Sequence, residues 1–276
     1  MPDTRIWDGS AGDNAIATAA NWTPANVPIS GDSAVFPGMA AASTKDVAGA
    51  DFNAILLVNL TVEPNCYLNF GSAATKLEFD ADHFLYAGRG QSFIDIQNST
   101  DILISSGRSA STGIGYGMVL TGATNTFARL NPGTGSTIGL APGALDTMTI
   151  TTMEIASGLV MLGAGFTTTT VSVEGGDTTS YAGCTTLTVR GGLWRQEAGA
   201  PTTLNIYGGR VYYDSPDEPT TLNLYGGVLD MSTGGALGKN WSGVTINYYG
   251  GSIYDPFKTI PTFTMTRLVG GTINGM

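Results

Sequence analysis

In the second half of the chain, short segments alternate between apolar and polar residues just before a pair of glycines. The apolar members of this alternation are Leu187 and Val189, Leu204 and Ile206, Leu222 and Leu224, and Ile246 and Tyr248. Because side chains on a strand point alternately to its two faces, the pattern predicts strands whose apolar residues point inward. A large apolar residue also stands in the middle of the segment after each glycine pair: Trp194, Val211, Leu229, Ile253 and Ile273. We therefore predict two strands in each repeat, joined at the glycines.

The glycine pairs recur with a spacing typical of stacked coils. They begin at Gly175, Gly191, Gly208, Gly226, Gly250 and Gly270, which gives spacings of 16, 17, 18, 24 and 20 residues. Such a period is typical of solenoids, in which each coil buries its apolar residues only by stacking on the next. Glycine suits a sharp corner because it has no side chain to obstruct the turn. The fold class that we predict is all-β: a right-handed parallel β-helix, or β-solenoid.

The first half is less regular, but it contains short apolar segments between Gly, Ser and Asn turns. We predict strands within residues 54–62, 77–79, 93–96, 101–104 and 148–150. Residues 113–120 and 155–165 are apolar without a clear period, and no segment shows the 3.6-residue period of a surface helix. We expect little helix, a solenoid over residues 53–276, and an N-terminal cap or attachment segment over residues 1–52.

Two outward positions repeat as regularly as the apolar ones. Tyr207, Tyr225 and Tyr249 precede successive glycine pairs, and Arg190 has the same place one coil earlier. Such a column is either a binding surface for sugars or a partner protein, or an aromatic ladder that stabilises the sheet, and we favour the ladder. Two residues before each tyrosine stand Asn205, Asn223 and Asn247. They predict a stabilising ladder of side-chain amides.

Composition and charge narrow the function classes. The 276 residues include 12 Lys and Arg against 22 Asp and Glu, a formal net charge of −10, and the basic residues are scattered. We therefore expect no binding of nucleic acid through its phosphates. The first residues lack the basic and apolar segments of a secretory signal, and nowhere are there eighteen consecutive apolar residues, so we expect no membrane association. Cys66 and Cys184 form no Cys-x-x-Cys pair and are expected to be free, half-buried thiols.

Few residues are candidates for catalysis or metal binding. A polysaccharide-cleaving enzyme needs two carboxylates on one face, and the acids close to the repeats are Asp214, Asp217, Glu218 and Asp255. They lie in variable, proline-containing segments, where carboxylates commonly face solvent. His83 is the only histidine, and no Gly-x-Ser-x-Gly motif accompanies it, so we expect a surface histidine. Asp80 and Asp82 lack the series of alternating ligands of a Ca²⁺ loop. We predict no catalytic residue, no metal site and no cofactor.

The N-terminal segment carries a resemblance to known proteins. It contains Ile6-Trp-Asp-Gly, Ala19-Ala-Asn-Trp-Thr-Pro, Val27-Pro and Gly31-Asp-Ser-Ala-Val-Phe. It resembles the opening of bacterial autotransporter-type and other β-helix passengers. The resemblance implies a cap in which Trp7 and Trp22 cover the open end of the core. In architecture and composition the chain also resembles β-helical virion components of tailed phages, the capsid decoration proteins and tail spikes, which are commonly trimeric.

Three function hypotheses follow, and the sequence leaves all three open. The leading one is a non-enzymatic virion structural protein, a homotrimeric capsid decoration or cement protein of a tailed phage. It would bind the major capsid protein, stabilise the shell and be located on the capsid surface. The alternative is a bacterial surface adhesin passenger fragment that binds glycans or protein. The third is a tail-spike polysaccharide depolymerase.

Overall fold

The computed structural model describes residues 3–41, 46–48, 51–108, 115–133, 135–232, 240–260 and 271–274; for 51–54 and 271–274 it describes the backbone alone. In this part of the chain the regular elements are β-strands, apart from a short 3₁₀ helix at Ala19–Asn21. The predicted low helix content is confirmed. Among these residues, no helix has the length and apolar character needed to cross a membrane.

The strands are numbered in chain order. They are β1 (Thr4–Trp7), β2 (Trp22–Thr23), β3 (Ser33–Phe36), β4 (Asp51–Val62), β5 (Leu77–Tyr86), β6 (Ser92–Gln97), β7 (Asp101–Ile104), β8 (Met118–Gly122), β9 (Thr124–Leu130), β10 (Thr137–Leu140), β11 (Met148–Ile155), β12 (Leu159–Leu162), β13 (Phe166–Val173), β14 (Asp177–Ser180), β15 (Cys184–Val189), β16 (Leu193–Gln196), β17 (Pro201–Ile206), β18 (Arg210–Tyr213), β19 (Thr221–Leu224), β20 (Val228–Asp230), β21 (Thr245–Tyr248), β22 (Gly251–Tyr254) and β23 (Gly271–Asn274).

The strands form two stacks in which neighbouring strands pair in parallel. Stack 1 contains β1, β3, the second halves of β4 and β5, and then β7, β9, β11, β13, β15, β17, β19 and β21. Stack 2 contains the first halves of β4 and β5 and then β6, β8, β10, β12, β14, β16, β18, β20, β22 and β23. Each coil adds one strand to each stack, so the predicted parallel β-solenoid is confirmed. Right-handed winding, which parallel crossovers strongly prefer, stays a prediction.

The register confirms the predicted apolar columns. In stack 1 it aligns one inward column of Leu187, Leu204, Leu222 and Ile246, and a second of Val189, Ile206, Leu224 and Tyr248. In stack 2 the matching side chains are Trp194, Val211, Leu229 and Ile253. All of these side chains are buried. The backbone of Ile273 continues the last column by pairing with Ile253, while its side chain lies outside the described part of the structure.

The glycine pair forms the corner between the two stacks. At Gly208 a Cβ atom would lie 2.4 Å from the carbonyl oxygen of Arg190 in the preceding coil. At Gly209 the backbone φ is +69°, and a Cβ atom would lie 2.6 Å from the carbonyl oxygen of Gly192. The first glycine is required by the close approach of two coils, and the second also by its left-handed backbone. Both requirements are also met at the pairs that begin at Gly175, Gly191 and Gly226, which explains the repeat.

Buried polar side chains close the opposite corner. Ser180, Gln196 and Tyr213 occupy the same inward position of stack 2 in successive coils. The Gln196 amide donates to the carbonyl oxygens of Ala182 and Ala198 at 2.9 and 2.7 Å. The Tyr213 hydroxyl donates to the carbonyl oxygen of Asp217 at 3.0 Å. These loop carbonyls have no hydrogen-bond partner in a neighbouring strand, and the buried side chains donate to them instead. Loops of unequal length can therefore return the chain to stack 1.

The stacking extends into the N-terminal segment. β3 pairs in parallel with β1 and with β4, and β2 pairs antiparallel with β1, so residues before 53 already contribute strands to stack 1. The strands predicted in the first half lie within β4, β5, β6, β7 and β11. In their described parts, the two apolar segments of unclear period contribute β8 and β12.

Candidate functional site

The tyrosine column stands at the edge of stack 1, directly before the glycine corners. The rings of Tyr207 and Tyr225 are stacked with centroids 4.4 Å apart and planes 4° from parallel, and Tyr225 and Tyr249 follow at 4.6 Å and 3°. The Arg190 guanidinium lies 5.7 Å from the centroid of the Tyr207 ring and contacts Glu174 Oε1 at 2.8 Å. The column is therefore a ladder that begins at Glu174 and continues, one residue in each of the next four coils, through Arg190 and the three tyrosines.

Stacking leaves these tyrosines little surface for a sugar. The shared ring faces cover each other, and Arg190 covers the outer face of Tyr207. Solvent meets mainly ring edges and hydroxyls, whereas a ligand that stacks on an aromatic residue needs the flat face. Burial, and then the neighbouring Tyr207 and Tyr249, raise the pKa of Tyr225, so its hydroxyl stays neutral at physiological pH.

The asparagine column beside it is a continuous hydrogen-bonded ladder. Asn223 Nδ2 donates to Asn205 Oδ1 at 2.8 Å, and Asn247 Nδ2 donates to Asn223 Oδ1 at 2.8 Å. Asn205 Nδ2 in turn approaches Thr188 Oγ1 at 3.4 Å. The adjacent outward column consists of threonines: Thr152, Thr170, Thr186, Thr203, Thr221 and Thr245. This half of the outer face is polar and its amides satisfy one another.

The same face becomes apolar towards the N-terminus. Followed back through the register, the asparagine column passes Thr188, Ser172, Glu154 and Arg129 and then reaches Leu103, Leu85, Thr61, Val35 and Ile6. We name these last five residues, all of which except Thr61 are apolar, the aliphatic column. Its end members Leu103 and Ile6 are 36% and 40% exposed. Its signal in the sequence is an unbroken apolar triplet such as Phe84-Leu-Tyr, in which alternation forces the middle residue outward.

Trp7 and Trp22 lie at the N-terminal end of the core. Their rings meet edge to face with centroids 5.2 Å apart, and both rings contact Phe36. Trp22 Nε1 donates to the carbonyl oxygen of Ile16 at 2.8 Å. Both side chains are at most 1% exposed, so they fill the end of the core. An attachment surface at this end would have to be formed by the residues around them.

The four acids considered for polysaccharide cleavage serve loops or face solvent. Asp255 is 3% exposed, and its carboxylate oxygens accept the backbone N–H groups of Thr259 and Ile260 at 2.9 and 2.8 Å. Asp217 and Glu218 are exposed, and Asp214 is half-buried. None of the four lines the three clefts described below.

His83 is paired with Asp101. Its Nδ1 lies 2.9 Å from Asp101 Oδ2, and both side chains are partly exposed. In the same outward column the amide of Asn59 donates to the Ser33 hydroxyl at 3.1 Å and stands between that hydroxyl and His83, so the column holds no Ser-His-Asp relay.

The two aspartates weighed as calcium ligands lie on β5 close to His83. Asp80 Oδ2 accepts from Asn98 Nδ2 at 3.4 Å, and Asp82 is half-buried. Within the described ranges, no group of three or more His, Cys, Asp or Glu side chains is placed to hold a metal ion.

Both cysteines are free thiols, as expected. Cys184 is half-buried, but Cys66 is fully buried rather than half-buried, because it lies in the loop after β4 and its side chain belongs to the core. Burial raises the pKa of both thiols, that of Cys184 to about 12. Neither is therefore a thiolate nucleophile at neutral pH.

A groove runs along the outer face of stack 2. Its first cleft, about 330 Å³, is lined by side chains of β10, β12, β14 and β16 together with Tyr116 and Tyr181. A second cleft of about 250 Å³ shares Tyr116 with the first, and a third of about 280 Å³ shares Lys76 and Asp146 with the second. Lys76 and Asp146 form an ion pair. The sequence did not suggest this groove.

No family model, no curated protein and no solved structure matches the chain. The fold alone defines its class: a parallel β-solenoid with side-chain ladders on the outer face of one stack and a groove on the outer face of the other.

Proposed function

We propose that the protein is a non-enzymatic structural protein that assembles through the outer face of stack 1. In its specific form, the proposal is a homotrimeric decoration protein that binds the major capsid protein on the surface of a tailed-phage capsid. The aliphatic column is the observation that supports this most. Exposed apolar side chains that recur over several coils, interrupted here only by Thr61, are typical of protein–protein contacts rather than of a free monomer surface.

Further apolar side chains are exposed near the N-terminal end, although the polar residues Ser33 and Asn59 stand between them and the aliphatic column on β3 and β4. Leu56 is 47% exposed and Ile29 is 63% exposed. They are neighbours, since the Gly31 N–H donates to the Leu56 carbonyl at 2.8 Å and the Leu56 N–H donates to Ser30 Oγ at 3.2 Å. The apolar surface thus belongs to the N-terminal half, while the C-terminal half of stack 1 is occupied by the asparagine and tyrosine ladders.

The alternatives have less support. A tail-spike depolymerase needs two carboxylates at a shared cleft, and the acids near the repeats serve loops, as Asp255 does, or face solvent. Asp95 and Asp146 do share the third cleft, but Asp146 is ion-paired with Lys76, and Asp95 accepts hydrogen bonds from Gln97 and Thr121. An adhesin that binds glycans through the tyrosine column needs free ring faces, and these rings cover one another. Binding of a protein by the ring edges and hydroxyls is compatible with the geometry but has no further observation in its favour.

Co-sedimentation with shells of the major capsid protein encoded alongside this chain tests the proposal. The unaltered protein should sediment with the shells, and Leu103→Asp should lose this binding because it places a charge in the apolar contact through which the chains form the trimer that binds the shell. Leu145→Asp is the matched control, since Leu145 is 98% exposed and lies outside the aliphatic column. Binding by Leu103→Asp equal to that of the unaltered protein, or no binding by the unaltered protein, would overturn the proposal.

A further inference from the structure

The first cleft of the groove has a floor of three consecutive coils and two aromatic walls. Met161, Thr179 and Arg195 are register neighbours on β12, β14 and β16 and form the floor. Tyr116 and Tyr181 stand at its sides, and the Tyr116 hydroxyl contacts Met161 Sδ. Burial, and then the neighbouring Tyr181, raise the pKa of Tyr116, so its hydroxyl is a neutral group at physiological pH. The cleft is open and its volume is that of a small-ligand site.

Arg195 is held in place without using its hydrogen-bond donors. Its guanidinium lies over the Tyr212 ring, 4.7 Å from the ring centroid. Stacking engages the flat face of a guanidinium and leaves the N–H edges free. No carboxylate or hydrogen-bond acceptor among the described residues engages those edges. In a chain of net charge −10, Arg195 is thus an oriented, unpaired cation inside a cleft.

The remaining groups of the cleft limit the ligand further. A free guanidinium edge matches a planar carboxylate through two parallel hydrogen bonds. Asp177 also lines the cleft, and its carboxylate has no partner among the described side chains. The Asp177 carboxylate can accept hydrogen bonds from hydroxyl groups, and its negative charge disfavours binding of a doubly charged phosphate. Aromatic walls, hydroxyl-binding groups and one carboxylate-binding group together match a sugar that carries a carboxylate.

We propose that this cleft binds a carboxylated saccharide, with Arg195 holding the carboxylate, Asp177 and Thr179 holding hydroxyls, and Tyr181 packing against the ring. The second and third clefts continue the groove through Tyr116, Lys76 and Asp146, so a chain of sugars fits better than a single one. This binding is independent of the assembly face, because the groove lies on stack 2 and the aliphatic column on stack 1.

Calorimetric titration with two matched pairs of probes tests the inference. One pair is trigalacturonate and its methyl ester, and the other is sialyllactose and its methyl ester. Each pair differs by the carboxylate charge, and the two pairs separate uronic from sialic acids. We expect at least one acidic probe to bind about 10-fold more tightly than its uncharged partner. Arg195→Met should abolish this difference, and Arg195→Lys should reduce it because an ammonium lacks the planar fork.

Two further variants show whether the effect belongs to the cleft. Arg190→Met is the matched control, since it removes the same charge from the same coil but on the outer face of stack 1, and it should leave binding unchanged. Tyr181→Ala should weaken both members of the bound pair without changing their ratio. Melting temperatures of all variants establish that they are folded. Binding of no probe at about 10 mM, equal binding of acid and uncharged forms, or an unchanged ratio in Arg195→Met would each overturn the inference.

Discussion

Gly209→Ala tests whether coil stacking imposes the glycine repeat. The substitution places alanine in the left-handed backbone region, where φ is +69°, at a cost of about 1–2 kcal/mol. Its Cβ atom would lie 2.6 Å from the Gly192 carbonyl oxygen, which accepts the Arg210 N–H at 3.0 Å. Moving that oxygen weakens an inter-coil hydrogen bond worth about 1 kcal/mol and the packing around it. The lower entropy of alanine in the unfolded chain offsets up to about 1 kcal/mol.

The net expectation for Gly209→Ala is a loss of about 1–3 kcal/mol in the free energy of unfolding, measured by urea denaturation. Gly243→Ala is the control, because the Cβ atom there meets only Glu218 Oε1 at 3.0 Å, the end of a flexible exposed side chain. It should leave the unfolding free energy unchanged or raise it by up to about 1 kcal/mol. If the two variants unfold at the same urea concentration, the close approach of coils is not what requires the glycines.

Three further perturbations test the polar and titratable groups. Asn223→Asp replaces the amide N–H donor with a carboxylate oxygen, so that two hydrogen-bond acceptors face each other at Asn205 Oδ1. The free energy of unfolding, measured by urea denaturation, should fall by about 1–3 kcal/mol, and no loss would show that the ladder adds no stability. Burial acts to raise the pKa of Asp32, but hydrogen bonds from backbone N–H groups and Arg5 outweigh it and lower the pKa. The ionised Asp32 carboxylate therefore stabilises the fold above pH 3.8, its pKa in the unfolded chain, and this stabilisation is lost as the pH falls through its lower pKa in the folded protein. In Asp32→Asn, the free energy of unfolding should therefore depend less on pH below about pH 4. Cys184, with a pKa of about 12, should react with iodoacetamide at pH 8 far more slowly folded than in urea; equal rates would contradict its burial.

The solenoid could be predicted where its signals are local. Alternation places Leu204 and Ile206 inward, and the glycine pair marks the corner after them, because both features act within one strand and turn. β14 carries no such signal, since Asp177-Thr-Thr-Ser is entirely polar. It is a strand because β12 and β16 pair with it on both sides, and two of its polar side chains are buried. Tertiary pairing here overrides the local pattern.

The groove could not be predicted, because loops distant in sequence build it. Tyr116 precedes β8, Tyr181 follows β14 and Arg195 lies on β16, and only the coil register brings the three together. The aliphatic column could have been predicted, because the apolar middle residue of a triplet such as Ile102-Leu-Ile breaks the alternation and must face outward. The tyrosine and asparagine ladders follow directly from the repeat.

The solution mass of the unaltered protein, measured by light scattering over a range of micromolar concentrations, tests the assembly claim most directly. An apolar surface used for symmetric self-association predicts a mass of about 86 kDa, three chains of 28.5 kDa, and a return to the single-chain mass for Leu103→Asp. A mass of 28.5 kDa at every concentration would contradict the claim that this face assembles the protein.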